Sequence, residues 1–518
     1  MLVTQPQYRR PGTLWYVSDG YIWDDFPTTY RTEPGRPLEC SSKLFVYNPQ
    51  EQPAQVTARF YHVDRPPTAV DFIVGAGRIK EIELETLAEA PHRQPFWVVV
   101  EADVPVLPQA QHEDYRVWDP VPDALIAPSP YPGPLEDETT WIFPDCYQSA
   151  SRADGRFTSW YERELLTILN PGKEPVTARV RYFLRNRNLG AEEEVTIPGE
   201  RVFAFDLYDR HPPLLGNKNG PPIRVTGDYA VRIDASGPVV TQTTRRARWT
   251  GQPSVVGARS LIAFPLRGEG HQLWYYPGGA VIDRGVLPRD ANCDVTWNLL
   301  FTHNLDESEP AHAVVAFHRA DGSVMRSEPI KIAPLKSDLE WLHLKPWLGT
   351  HTQVDQPFAM VVTADRPVVP EVTCAEFEMW SQVCPGAMSA VNFYPGPLSD
   401  ETVWWLGIGR AGGSDEVNTE WQQSYHLFNP GDRPVQVTLS FLGLEGPPLT
   451  HEVTIGPGAV TMITSAEVAG LPIGQPFAVR AQADGSFCPQ FFARTFTRGL
   501  PYTRAMYSNI GLPMPLKP

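Results

Sequence analysis

The chain has 518 residues, 11% of them aromatic, with 54 prolines, 39 glycines and a formal net charge of −16. That length exceeds one hydrophobic core, and the acidic balance argues against a nucleic-acid partner, whose binding needs Lys and Arg to displace counterions. Prolines and glycines scattered among Val, Thr, Phe and Trp, with no helical stripe, predict short strands and many turns, hence an all-β fold.

The N-terminal MLVTQPQYRRPGTLWY has no apolar h-region, and nowhere do about 18 apolar residues run together. No direct membrane insertion is therefore expected, and the protein reads as soluble and cytoplasmic. The six cysteines show no CxxC spacing and do not recur as a pair in each unit, so they read as free, packed thiols.

Each quarter of the chain opens on an aromatic strand: TLWYVSDGYI at 13–22, TTWIFPDCYQ at 139–148, HQLWYYPGGA at 271–280 and TVWWLGIGRA at 402–411. Trp15, Trp141, Trp274 and Trp405 stand at 126-, 133- and 131-residue intervals and read as core plugs. A second strand then runs into a turn at Asn48, Asn170, Asn304 and Asn429, because Asn bonds its own backbone and the residues after it favour a turn. A ligand contact is the alternative role for that Asn.

The next strand alternates. In VTARVRYF, Val176, Ala178, Val180 and Tyr182 face one way and Thr177, Arg179 and Arg181 the other, and Val435, Val437, Leu439 and Phe441 repeat the pattern. One face is core and one is wet, as in an antiparallel sandwich. The run Glu192 to Glu194 reads as solvated.

A signature closes each unit: ADVPVLPQ at 102–109, ASGPVVTQ at 235–242, ADRPVVPE at 364–371 and ADGSFCPQ at 483–490. Its intervals of 133, 129 and 119 residues are domain-sized, too long for a solenoid repeat. The fold class that follows is four tandem antiparallel β-sandwich domains: 10–122, 138–256, 271–385 and 401–518. Pro-rich stretches at 123–137, 257–270 and 386–400 read as stiff, extended connectors between them.

WYVSDGYI at 15–22, the strand into the Asn turn, the alternating VTxxxxY strand and PVVTQTTR at 238–245 together resemble the sensory rhodopsin transducer family, whose members are about one repeat long. The resemblance implies a β-sandwich that assembles as a homotetramer, with roles in signal relay and a capacity for small, sugar-like ligands. Four fused copies would then form a monomer in which repeats replace subunits, a pseudo-tetramer of pseudo-fourfold or pseudo-222 arrangement.

Repeat one keeps the DGYI opening with Asp19 and Tyr21; repeat two keeps Glu164 six residues before Asn170, and the ending Gln242, Thr244 and Arg245. The position of Glu164 holds Ser42, Asn298 and Gln423 elsewhere, and Glu371 replaces the signature Gln in repeat three. Glu164, Gln242, Thr244 and Arg245, with Asp19 and Tyr21, are thus the candidate ligand site, since a carboxylate and a guanidinium beside an amide can read hydroxyls in both directions. A Glu–Arg pair that fixes two adjacent strands is the structural alternative.

No GxSxG, HExxH or glycine-rich phosphate loop occurs, and the dispersed histidines, His303 and His426 among them, read as half-buried imidazoles, so neither metal nor cofactor is expected. The leading function is non-catalytic binding of a small polar or sugar-like ligand, or of a signalling protein partner. The alternative is a carbohydrate-active enzyme, a glycoside hydrolase or lyase, with carboxylates contributed by different repeats.

Overall fold

The structure is a computed structural model. It describes residues 12–20, 40–92, 94–115, 122–148, 160–185, 189–207, 210–217, 222–223, 225, 227–249, 255–266, 270–280, 297–342, 356–377, 385–398, 402–414, 419–497 and 503–514. Module 1 comprises β1 (Leu14–Gly20), β2 (Cys40–Tyr47), β3 (Ala54–Tyr61), β4 (Thr68–Val74), β5 (Ile79–Glu83), β6 (Phe96–Ala102), β7 (Leu107–Tyr115), β8 (Pro122–Ile126) and β9 (Tyr131–Pro132). These form two antiparallel sheets, β4-β3-β6-β1-β9 and β5-β2-β7-β8.

Module 2 repeats this with β10 (Thr140–Gln148), β11 (Trp160–Asn170), β12 (Val176–Leu184), β13 (Leu189–Ile197), β14 (Arg201–Asp206), β15 (Gly227–Ala235), β16 (Val240–Trp249), β17 (Val255–Ile262) and β18 (Phe264–Pro265). Its sheets are β13-β12-β15-β10-β18 and β14-β11-β16-β17. The third module joins its two sheets through one long strand, Pro357–Phe377, and the fourth returns to two separate sheets. The chain is all-β, built as four antiparallel sandwiches in one order of strands.

Several local expectations are corrected. The signature is a strand only in module 3; in modules 1 and 2 it is the corner at which the chain leaves the first sheet, at Ala102 and Ala235, and enters the second, at Leu107 and Val240. Proline and a turn interrupt the ladder there. The Pro-rich stretches are not extended connectors: β8, β9, β17 and β18 lie in or beside them and complete the sheets of the module before. The last residues of the chain do the same for module 4, with strands Thr503–Ile510 and Leu512–Met514.

Register also moves one residue. Trp15, Trp141 and Trp274 pair with Pro132, Pro265 and Pro395, and in module 4 the residue opposite Pro513 is Trp404. These four tryptophans carry no exposure, whereas Trp405 faces module 1 against Tyr47. Of the acidic run, Glu192 bonds Arg179 Nε at 2.8 Å and Glu193 accepts from Tyr182 Oη at 2.7 Å; only Glu194 is exposed. Trp118, Trp249 and Trp380 follow the signature in the first three repeats and read from the sequence as interface or core packing; Trp118 and Trp380 lie outside the described residues, as does the Trp249 side chain.

The modules close into a head-to-tail ring. The second sheet of each lies on the first sheet of the module before it, and module 1 lies on module 4. Trp97 of β6 donates to Thr167 Oγ1 of β11 at 3.1 Å, and Ser337 Oγ of module 3 donates to the Pro144 carbonyl at 3.0 Å. His318 Nδ1 bonds the Gly458 carbonyl at 2.9 Å, and Arg410 of module 4 pairs with Glu81 of β5 at 2.8 Å. On the axis, β8, β17, Pro385–Asn392 and Thr503–Ile510 touch one another in turn. The arrangement is therefore pseudo-fourfold rather than pseudo-222, because each interface joins two different surfaces and the rotation closes after four.

Alternation along β12 follows the expectation at Val176, Ala178, Val180 and Tyr182, all buried. Arg181, expected to be wet, is buried because Asp234 holds it at 2.7 Å and Glu307 of module 3 lies 3.6 Å away.

The four turn asparagines share one geometry. Asn170 Nδ2 donates to the carbonyls of Glu174 at 2.8 Å and Ile197 at 3.2 Å, while its Oδ1 accepts from Gly172 N at 3.0 Å. Asn48, Asn304 and Asn429 repeat it, and all four are at most 1% exposed. They are structural pins, not ligand contacts. Asn429→Ala should lower the stability of the ligand-free protein in urea by about 1–3 kcal/mol, the cost of buried carbonyls left unpaired; an unchanged midpoint would make a ligand contact the better role for this Asn.

Candidate functional site

Each first strand carries a bulge a few residues after its tryptophan, with register shifts at Val17/Gly20, Phe143/Cys146, Tyr276/Gly279 and Trp405/Gly407. A bulge frees backbone groups from the ladder, and buried peptide groups need partners. At the seam of modules 1 and 4 the signature residue supplies both: Gln109 Oε1 accepts from Ile408 N at 2.7 Å and Gln109 Nε2 donates to Ile408 O at 3.0 Å. Gly407, at φ 107°, permits the approach, since a Cβ there would stand 2.7 Å from Gln109 Oε1.

The seam of modules 2 and 3 reaches the same end with charges. Asp145 takes the place of Ile408, four residues after its core tryptophan. Its N–H donates to Glu371 Oε2 at 3.3 Å, and its carbonyl accepts from Arg259 Nη2 at 2.7 Å. Glu371 and Arg259, themselves paired at 2.8 Å, replace one glutamine amide. The Asp145 carboxylate accepts from Arg245 at 2.9 Å and Thr373 at 2.6 Å and lies 3.1 Å from Arg259. Glu164 Oε2 accepts from Tyr147 N at 2.9 Å and Tyr229 Oη at 3.1 Å, and Glu162 lies 3.7 Å from Arg245.

Four carboxyls and two guanidiniums thus meet where exposure is at most 5%. Only two cations face the four carboxyls, so each ionised carboxyl beyond two adds an unbalanced buried charge. Burial, with the anions nearby, pushes Glu371 up to about 8 and Glu162 up to about 7, against the pull of Arg259 and Arg245. Asp145 is also desolvated, but Arg245, Arg259 and its hydrogen bonds outweigh that loss and hold it below the usual carboxylate range. Burial first, then Glu164, drives the Cys146 thiol well above its ordinary value, so it is an inert packed group.

The expected set of site residues divides. Glu164 and Arg245 stand directly opposite one another on β11 and β16 and both join the ionic cluster. Gln242 and Thr244 point to the other face of β16, where Gln242 Nε2 donates to Thr244 Oγ1 at 3.0 Å and to Ser260 Oγ at 2.5 Å. A strand period of two separates residue 245 from 242 and 244. The Asp19 side chain and the whole of Tyr21 lie outside the described residues.

Sequence reasoning did not gather Asp145, Arg259, Glu162 and Glu371 into one site. Alignment of the opening strands holds a signal for Asp145, which sits four residues after Trp141 as Asp19 sits after Trp15. His303 and His426 carry no exposure, and burial lowers both to about 3, so they are neutral core rings and not half-buried ones. Among the described residues no group of His, Cys, Asp and Glu is placed to hold a metal ion.

Residues 12–121 and 137–263 match the family described as Anabaena sensory rhodopsin transducer. That family's model thus matches the first two modules, once each. Of solved structures, one titled "Crystal Structure of Thermotoga maritima 1070" is 19% identical, with 24% of this chain and 96% of that one covered and a TM-score of 0.19. The Anabaena sensory rhodopsin transducer is 24% identical, with 19% and 94% covered and a TM-score of 0.15. No curated protein matches the chain.

The ionic cluster gives this chain a pH signature. Folded Glu371 and Glu162 keep protons that the unfolded chain releases near 4.5, so their effect on stability is absent below that pH and grows unfavourable as pH rises. Glu162 completes its loss near 7 and Glu371 near 8. Asp145 acts in the opposite sense, supporting the fold above 3.8 and losing that support as pH falls. Glu371→Gln, which cannot ionise, should flatten the decline in stability measured in urea between about pH 5 and 8, most clearly between 7 and 8, where Glu162 has completed its loss. Arg259→Ala should cost about 3–5 kcal/mol at either pH, because it strands buried carboxylates.

Proposed function

We propose that this chain is a non-catalytic relay protein of the transducer type, which takes up a small ligand or a protein partner and passes the resulting change around four fused modules. The observation that carries this reading is the seat of Glu371: a side chain of module 3 completes the buried cluster of module 2, so neither can shift without disturbing the other. Closure of the ring within one chain supports a monomer, since the surfaces that would recruit other copies already face each other. Cys146 and Cys374, buried thiols outside any disulfide, favour a reducing compartment such as the cytoplasm.

The carbohydrate-active alternative would use the gathered carboxylates. Asp145, Glu164 and Glu371 are at most 1% exposed and accept from guanidinium, backbone or hydroxyl donors, which favours a structural charge cluster over an acid and base awaiting a glycoside. A sugar-like ligand would also have to stack away from the core tryptophans. Trp341, 36% exposed, is a ring it could reach.

Thermal-shift screening of the full chain against mono- and oligosaccharides tests the ligand, because binding to the folded state raises the melting temperature by mass action. A stabilising sugar should slow amide exchange in the neighbouring modules as well as in the one it occupies, and Glu371→Ala should confine the protection. A flat screen would overturn the sugar-like ligand; protection confined to one module in the wild type would overturn the relay.

A further inference from the structure

Where the four end strands leave the axis, they form a partly open cavity of about 110 Å³, lined by residues 128–132 of module 1, 260–265 of module 2, 390–392 of module 3 and 508–510 and 512 of module 4. It is on the order of the ~150 Å³ apolar cavities that admit a benzene-sized guest. Leu261, Ile262, Phe264, Val391 and Ile510 furnish much of the wall, and no charged side chain lines it.

Two residues that line this cavity each carry a buried polar atom without a partner. Ser508, 6% exposed, has an unbonded Oγ, and Asn392 has an unbonded Oδ1 although its Nδ2 donates to the Ile262 carbonyl at 3.0 Å. Buried hydroxyls and amides are ordinarily satisfied, so the pair asks for a guest. The pseudo-fourfold is broken here in a regular way. By the register of the end strands, Ser129, Ile262, Asn392 and Ile510 are equivalent, giving two polar and two apolar walls that face each other in like pairs.

We propose that this axial cavity is a binding site for a small, uncharged, mainly apolar molecule carrying one hydroxyl or amide group, with a phenol as the simplest example. Its ring would rest on the aliphatic walls, its polar hydrogen on Asn392 Oδ1, and its oxygen would accept from Ser508. An anion or cation would lose hydration with no opposite charge to meet. A smaller cavity of about 20 Å³ shares Ser129, Pro130, Asn509, Ile510 and Leu512 with it and is lined by Gln109 and Gly407. The guest would therefore lie beside the seam at which module 1 is pinned to module 4.

Fluorine NMR titration of the full chain with 4-fluorophenol, 4-fluorobenzoate and a fluorinated glucose tests the site. Saturable binding of 4-fluorophenol is expected, with at least tenfold weaker binding of the benzoate and of the sugar at this site. Ser508→Ala, which removes an unbonded hydroxyl, should leave the unfolding midpoint unchanged and weaken 4-fluorophenol several-fold, and Ala390→Leu should fill the space and abolish binding. No saturation of the folded wild type by about 10 mM, or undiminished binding by folded Ala390→Leu, would overturn the site. Should Ala390→Leu fail to fold, undiminished binding by Ser508→Ala would overturn the assigned hydrogen bond. The saccharide screen addresses a different ligand, so a flat result there leaves this site standing.

Discussion

The ring depends on the satisfaction of a few peptide groups. Each first strand bulges soon after its core tryptophan, and at two seams the N–H and C=O released there meet side chains of the adjoining module's second sheet or of its own. At one seam a glutamine side chain meets both groups, as an amide does for a peptide in a ladder, with Gln109 on Ile408. At another, a carboxyl and a guanidinium each meet one of them, since Glu371 accepts from Asp145 N while Arg259 donates to its carbonyl. Both solutions bind one module to its neighbour by backbone recognition, which tolerates change in the surrounding side chains.

That tolerance shows inside the modules. At one cross-strand position the pairs are Ser42 with His112, Glu164 with Arg245, Asn298 with Cys374 and Gln423 with Ala493. Ser42 Oγ bonds His112 Nδ1 at 2.7 Å, the Cys374 thiol donates to Asn298 Oδ1 at 3.2 Å, and Gln423 Oε1 accepts from Tyr425 Oη at 2.5 Å. A homotetramer must use one residue pair at all four places, whereas a fused chain can differ at each. Module 2 has used that freedom to concentrate charge, and the axis has used it to alternate polar and apolar walls around one cavity.

Charge concentration carries a cost in desolvation, which protonation reduces. With Glu371 and Glu162 neutral, the cluster resembles a hydrogen-bonded core more than an ion cage. Module 3 meets module 2 through Glu371, Thr373 and Ser337 together, a set that modules 1 and 4 do not present in that form.

Much of the module was legible in the residues. The domain-length repeat, the period-two alternation at Val176 to Tyr182, and the turn asparagines depend on local chemistry that any copy of the segment carries. So did the separation of Arg245 from Gln242 and Thr244, since strand parity alone places them on opposite faces, although grouping them by polarity obscured it. The proline-rich stretches look like connectors in the sequence because proline removes a donor, yet that loss does not forbid a sheet edge, and β8, β9, β17 and β18 are short edge or axial strands.

The amino-acid sequence by itself determined the repeated all-β module, its turns and its core faces, because neighbours a few residues apart dictate strand, turn and alternation. Tertiary structure alone decided that Glu371 would lie against Asp145, 226 residues away, that the ring would be head-to-tail, and that four end strands would line one cavity. Those outcomes follow from how whole sheets stack once their bulges expose backbone. No local pattern encodes which distant side chain will arrive to meet it.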